Sequence, residues 1–261
     1  MNTSIQSSKK VDREALEYKV KDMYKKVALH PEVSYHFEMG RPLAERLGYP
    51  SSTLDKIPEA AIESFAGVGY YFDFANLQAG ESVVDLGSGS GMDVFFAAEK
   101  VGPNGEVIGI DMTVEQLEKS RSLKETSGYD RVHFRESYIE ELPIVSDSVD
   151  VAISNGVINL SSSKRQVFLE IARILKTGGR MVLSDIVTTQ ALPEKITCNA
   201  DLWAACIGGA ITQEDYIKMI ESAGMEIIKV KKNPYAFISN NAKGATQEYG
   251  IKSISILAIK K

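Results

Sequence analysis

The chain has 261 residues, a formal net charge of −5, and a composition that is 44% hydrophobic and 25% charged. That balance is ordinary for a folded globular protein. The acidic excess argues against a broad nucleic-acid surface, and no apolar run is long enough to span a bilayer. The first ten residues are polar and lack the apolar centre of a signal peptide. The two cysteines, Cys198 and Cys206, fit a reducing, cytoplasmic setting and make no metal-ligand cluster.

In chain order, residues 1–10 are rich in Ser, Lys and Gln and predict a disordered tail. From 12 to 28, Leu16, Val20, Met23, Tyr24 and Val27 share one helical face, and His30-Pro31 stops the helix. Residues 31–80 read as irregular to helical, with a turn at 48–50, a helix start at Ser51-Ser52-Thr53 and a helix near 58–65. The span 11–80 therefore forms an N-terminal cap or lid. Strands and helices then alternate, which predicts a parallel sheet with crossover helices. Strands fall at 82–86, 106–111, 131–136, 148–154 and 180–187. Helices fall at 91–101, 113–127 and 161–175, with a short helical turn at 139–142. Thr113 followed by Gln116 has the spacing of a capping box. This α/β core, 81–190, has a Rossmann-like sheet with helices on both faces. After Pro193 come a small-residue segment at 200–210 holding Trp203, a helix capped by Thr212, an exposed strand at 226–232 and a strong strand at 253–259. Residues 191–261 read as a C-terminal α+β, substrate-side extension that completes the fold.

The chemistry is concentrated at 83–91. A strand enters a turn with Gly87, Gly89 and Gly91 at alternate positions and Asp85 just before it. A strand, glycine turn and helix in sequence build a nucleotide site at a strand's C-terminal end. Dinucleotide sites favour the wider G-x-G-x-x-G spacing. An acid at position 85 repels a pyrophosphate and pairs with an ammonium, so the pattern points to S-adenosylmethionine. Asp111, at the end of the next strand, is placed to accept hydrogen bonds from ribose hydroxyls.

Several further blocks resemble the arsenite methyltransferases, within the class I S-adenosylmethionine-dependent methyltransferases. They are Leu-Gly-Tyr at 47–49, Val-Asp-Leu-Gly-Ser-Gly-Ser-Gly at 84–91, Val-Ile-Gly-Ile-Asp-Met-Thr at 107–113 and Ile-Glu-Glu-Leu-Pro at 139–143. To these are added Ile-Ser-Asn-Gly-Val-Ile-Asn-Leu at 153–160, Gly-Gly-Arg-Met-Val-Leu-Ser-Asp-Ile at 178–186 and Cys-Ile-Gly-Gly-Ala at 206–210. The resemblance runs from about residue 45 to the end.

It implies that Asp85, Gly87, Ser88, Gly89 and Gly91 hold the methionine half of the cofactor and Asp111 the ribose. It also implies that Ile139 and Glu140 lie at the adenine edge and Asn155 beside the amino-acid end. Met112 either packs on the adenine or fills the core. The family holds trivalent arsenic through thiolates, and two of its cysteine positions are here Val68 and Gly156; only Cys206 matches. A soft metalloid needs two or three soft ligands, so the scaffold is kept and the arsenic site is degenerate.

The expected pocket for the methyl acceptor, a small molecule, includes Tyr70, Tyr71, the space left by Gly156, Trp203 and Cys206. Candidate catalytic groups are Tyr70, Tyr71, His36 and Cys206, although an aromatic cluster and a lone histidine are as readily explained by packing. No metal site is expected. Competing readings are a genuine arsenite methyltransferase using Cys206 with Cys198 or external thiols, a nicotinamide oxidoreductase, and a cofactor-binding protein without catalysis.

Overall fold

Seven strands form one sheet in the computed structural model, which describes residues 13–197, 203, 207–238 and 240–261. They are β1 (Ser82–Leu86), β2 (Glu106–Asp111), β3 (Val132–Glu136), β4 (Val149–Asn155), β5 (Leu175–Val187), β6 (Met225–Lys232) and β7 (Lys252–Lys260). Their order is β3-β2-β1-β4-β5-β7-β6. The first five are parallel, and β7 enters antiparallel between β5 and β6. Parallel strands are covered on both faces and must be apolar on both. Along each strand, neighbours point opposite ways. Val83, Val107, Val151 and Val182 face one core cluster, and Val84, Ile108, Ala152 and Leu183 face the other.

Among the described residues, five helices precede the sheet: α1 (Arg13–Leu29), α2 (Gly40–Leu47), α3 (Ser51–Leu54), α4 (Glu59–Glu63) and α5 (Phe72–Ala75). The crossovers carry α6 (Met92–Val101), α7 (Val114–Ser127) and α8 (Lys164–Ile174), and α9 (Glu194–Thr197), α10 (Gln213–Ser222) and α11 (Asn240–Tyr249) follow. No described helix is long and apolar enough to cross a membrane. The tail at 1–10, Cys198 and Cys206 lie outside the described residues.

Three local expectations need correction. The stretch 139–142 is a turn rather than helix, because side chains take its backbone: Leu142 N–H donates to Glu170 Oε2 at 2.8 Å, and Ser137 Oγ donates to Glu141 O at 2.7 Å. The helix expected at 161–175 is shorter, and Leu175 already pairs with Val149. Residues 176–179 then loop out, with Gly178 at φ +79°, before pairing resumes at Arg180. The Thr113 side chain makes no cap bond, because Asp111 Oδ1 takes the Thr113 N–H at 2.8 Å and Gln116 is engaged elsewhere. The C-terminal strands are part of the main sheet, and β6 is its edge. Lys229 and Lys231 lie over Phe74 at 4.2 and 4.7 Å, and lysines on an edge strand discourage pairing with another chain.

Candidate active site

The chain winds outward from β1 through β2 to β3, then returns to place β4 on the other side of β1. Such a switch point opens a crevice at the C-terminal ends of the two central strands. Asp85 and the glycine loop leave β1 here, and Asn155 ends β4. The loop is fastened to β2: Gly87 and Ser88 N–H both donate to Ile110 O, at 2.8 and 2.9 Å. Gly89 N–H donates to Asp111 Oδ2 at 2.9 Å. Gly87 has φ +74°, and a Cβ there would lie 2.4 Å from Val157 Cγ2, so only glycine fits.

A cavity of about 460 Å³ fills the crevice, a size suited to a small-molecule ligand. Asp85, Gly87, Ser88, Gly89, Asp111, Met112, Ile139, Glu140 and Asn155 all line it. Gly91 does not. It caps α6 at φ +96° against Phe134 and Phe95, so its role is to let the helix start.

Among the described residues, the lining contains Glu17, Asp85, Asp93, Asp111, Glu140 and Glu141 but no Lys, Arg or His. Asp85 is 2% exposed, and among the described residues no donor reaches its carboxylate. Burial, with Asp93 and then Asp111 nearby, pushes it well above the usual carboxylate range. Burial also raises Asp111, offset in part by the N–H groups of Thr113 and Gly89. A crevice with buried acids and no base repels phosphates and suits a ligand with a positive end.

Asp93 was not singled out by sequence. Burial raises it as well, but three donors oppose that: Tyr49 Oη at 2.7 Å, Tyr71 Oη at 2.8 Å and Asn155 Nδ2 at 3.1 Å. Asn155 also accepts from Val68 N–H at 2.8 Å and donates to Gly69 O at 3.0 Å. This hub holds the 67–69 loop against the ends of the strands. Gln116 is a second unanticipated residue. Its Oε1 accepts from Ser90 Oγ and its Nε2 donates to Tyr24 O at 2.8 Å, tying the glycine loop to α1. Helix α1 closes the cavity through Leu16, Glu17, Val20 and Tyr24. Leu16 and Val20 pack on Trp203, with Met112 and Leu160 alongside. The hydrophobic face read at 12–28 thus foretold the helix but not what it covers.

Among the described residues, those expected around the acceptor are placed differently. Tyr71 is fully buried behind the wall, bonded to Asp93. Tyr70 packs edge-on to Tyr49, with ring centres 4.9 Å apart, and is not in the lining. His36 lies outside the cavity, edge-on to Phe37 at 4.8 Å. Trp203 backs the α1 contact rather than lining the cavity, and its Nε1 donates to Thr197 O at 2.6 Å. Gly156 leaves no open space: a Cβ there would sit 3.2 Å from Val68 Cγ1. The two positions matched to family cysteines thus face each other, and the valine fills the gap.

A sequence profile described as a methyltransferase domain matches residues 77–224. The chain belongs to the methyltransferase domain family. Its sheet is the Rossmann-like fold of the class I S-adenosylmethionine-dependent methyltransferases. It is 39% identical over 199 residues to an arsenite methyltransferase of Halobacterium salinarum, covering 76% of this chain and 51% of that one. The chain spans about half the length of the curated relatives it matches. Among solved structures it is similar to CrArsM, an arsenic(III) S-adenosylmethionine methyltransferase from Chlamydomonas reinhardtii. That match has 28% identity and a TM-score of 0.63, over 86% of this chain and 75% of that one. Geranyl diphosphate C-methyltransferase from Streptomyces coelicolor A3(2), solved with S-adenosyl-L-homocysteine, shares the fold. Its identity is 16% and its TM-score 0.67, over 97% of this chain and all of the other.

Proposed function

We propose that this methyltransferase-family chain transfers a methyl group from S-adenosylmethionine to a small organic acceptor in the cytoplasm. The observation that carries the cofactor assignment is Asp85, a buried acid that meets no donor among the described residues, beside Asp93 and Asp111 in a cavity whose described lining holds no cation. In this reading Asp85 takes the cofactor's ammonium and the glycine-loop backbone takes its carboxylate. Asp111 takes the ribose hydroxyls, and the adenine lies between Met112 and Ile139 with its edge toward Glu140. When bound, the cofactor supplies a methyl group already activated by a cationic sulfur. The chain's own residues then need only align the reactants and exclude water. Helix α1, the Trp203 contact and the Asp93 hub do this by closing the cavity.

Asp111→Ala removes an acceptor for the ribose and the clip on Gly89. Hydrogen bonds to a charged group contribute about 1.5–3 kcal/mol, so affinity for S-adenosylmethionine is expected to fall roughly ten- to a hundredfold. Calorimetry giving an unchanged affinity would remove Asp111 from the site.

The acceptor in this reading is not arsenite, despite the relatives' names. Val68 and Gly156 face each other, and neither residue carries a sulfur; a single remaining thiolate holds a soft metalloid poorly. The acceptor therefore brings its own nucleophile. The test is arsenite methylation by the purified chain in excess thiol, compared with Cys206→Ser. Absent or weak turnover in both is expected. Robust turnover lost in Cys206→Ser would establish the alternative, an arsenite methyltransferase using Cys206 with Cys198 or external thiols.

A further inference from the structure

Lys164 opens α8 and is only 7% exposed, yet nothing in methyl transfer as described uses it. A buried ammonium is retained only where partners replace its water. Its Nζ donates to Ser161 O at 2.7 Å and lies 5.0 Å from the centre of the Trp203 ring. Two acids face it, Glu140 from the segment after β3 and Asp185 from β5. Asp185 is already supplied with donors. Asn159 and Ile186 N–H reach it at 2.9 and 2.8 Å, and Tyr216 Oη from α10 reaches it at 2.7 Å. Glu140 accepts from Ser161 Oγ. Ser161 thus works in two directions: its carbonyl is held by Lys164, and its hydroxyl holds Glu140. Ser161 and Glu140 line the cavity, while Lys164 stands behind them, with the Trp203 ring over its ammonium.

We propose that Lys164 is a positioning residue for cofactor recognition: it fixes Ser161, and through it Glu140, so that Glu140 presents an acceptor to the exocyclic amine of the adenine. The inference rests on the S-adenosylmethionine reading above. The anchored hydroxyl keeps Glu140 from turning away. Burial lowers Lys164 to about 8, with Asp185 and Glu140 opposing that fall. The group is therefore charged at neutral pH and becomes neutral on mild alkalinisation. Raising the pH should release Ser161 and weaken the contact made through Glu140, while the ribose and methionine contacts remain.

The test compares adenosine with purine riboside, which lacks the amine. Neither carries the amino-acid ammonium of S-adenosylmethionine, whose own titration would confuse the reading. The wild-type chain at pH 7 should prefer adenosine by roughly tenfold, the effect of one hydrogen bond to a charged group. In Lys164→Met the preference should fall toward one while purine riboside binds as before, which also reports an intact fold; Lys164→Arg should restore it. In the wild type alone, the preference should shrink between pH 7 and pH 9. A preference unchanged in folded Lys164→Met, an equal loss for both ligands, or a wild-type ratio constant from pH 7 to pH 9 would each overturn the proposal. If the wild type binds S-adenosylmethionine and the ratio does not respond, only the role of Lys164 fails. If it binds neither S-adenosylmethionine nor adenosine, the cofactor reading fails with it.

Discussion

Asp85→Asn is expected to weaken S-adenosylmethionine binding by roughly a hundredfold, the effect of losing a charge-assisted hydrogen bond. It is also expected to raise the melting temperature of the unliganded chain. The two effects share one cause. In the empty cavity the Asp85 carboxylate is buried, receives no donor among the described residues and faces Asp93 and Asp111. A carboxyl whose folded pKa lies above its unfolded value costs stability when ionised. That cost is full above the folded pKa and disappears as pH falls toward the ordinary carboxylate range. Asparagine removes the charge with little change of shape, so the unliganded fold gains. A cationic ligand removes the same penalty by pairing with the acid, and the variant loses that gain. Thermal melts with and without S-adenosylmethionine should therefore show a higher starting point and a smaller ligand shift for Asp85→Asn. A variant that melts lower when unliganded and binds normally would mean that Asp85 is a structural acid and not a cofactor ligand.

Removing residues 248–261 is expected to abolish cooperative folding. The segment includes β7, which lies between β5 and β6 and pairs with β5 from Arg180 to Val187. Ile251, Ile254 and Ile256 are buried. At about 1.5–3 kcal/mol for each buried side chain, their loss is comparable with the net stability of a whole domain, about 5–15 kcal/mol. Deletion also strips the sheet-side support of the site, because Ser253 Oγ donates to Val68 O at 2.6 Å and Ser255 Oγ to Asn233 Oδ1 at 2.9 Å. The product should be insoluble, or should keep far-ultraviolet helicity without a cooperative melt. A soluble truncation with a sharp melt would show that β5 can end the sheet.

Local signals carried the reading of the core, and contacts between distant segments carried what escaped it. The strands at 82–86 and 106–111 are short apolar runs with an acid at or next to the end, and the glycine loop follows the first directly, so each was legible in place. Asp93 was hidden because it sits among Met92, Val94 and Phe95, in the first turn of a helix. Its meaning comes from Tyr49, Tyr71 and Asn155, far away in sequence. Gln116 fitted a capping pattern, yet its partners are Ser90 and Tyr24, supplied by other segments.

Helix α2 was not separated from a span read as irregular to helical, because Gly40 and Pro42 in its first turn weaken the helical signal. Helix α11 was missed because its sequence is polar and carries Gly244. The facing of Val68 and Gly156 could not be read from either position alone. The loop that brings them together is held by Asn155 and Ser253, from two different strands.

Titration calorimetry of the purified chain with S-adenosylmethionine, S-adenosylhomocysteine and NAD tests the cofactor assignment most directly. A cavity lined, among the described residues, by acids and no bases should bind the first two at a single site and give no heat with the dinucleotide, whose pyrophosphate meets no positive group among them. Binding of NAD with none of S-adenosylmethionine would contradict the assignment of the Asp85 cavity and, with it, the methyl-transfer function.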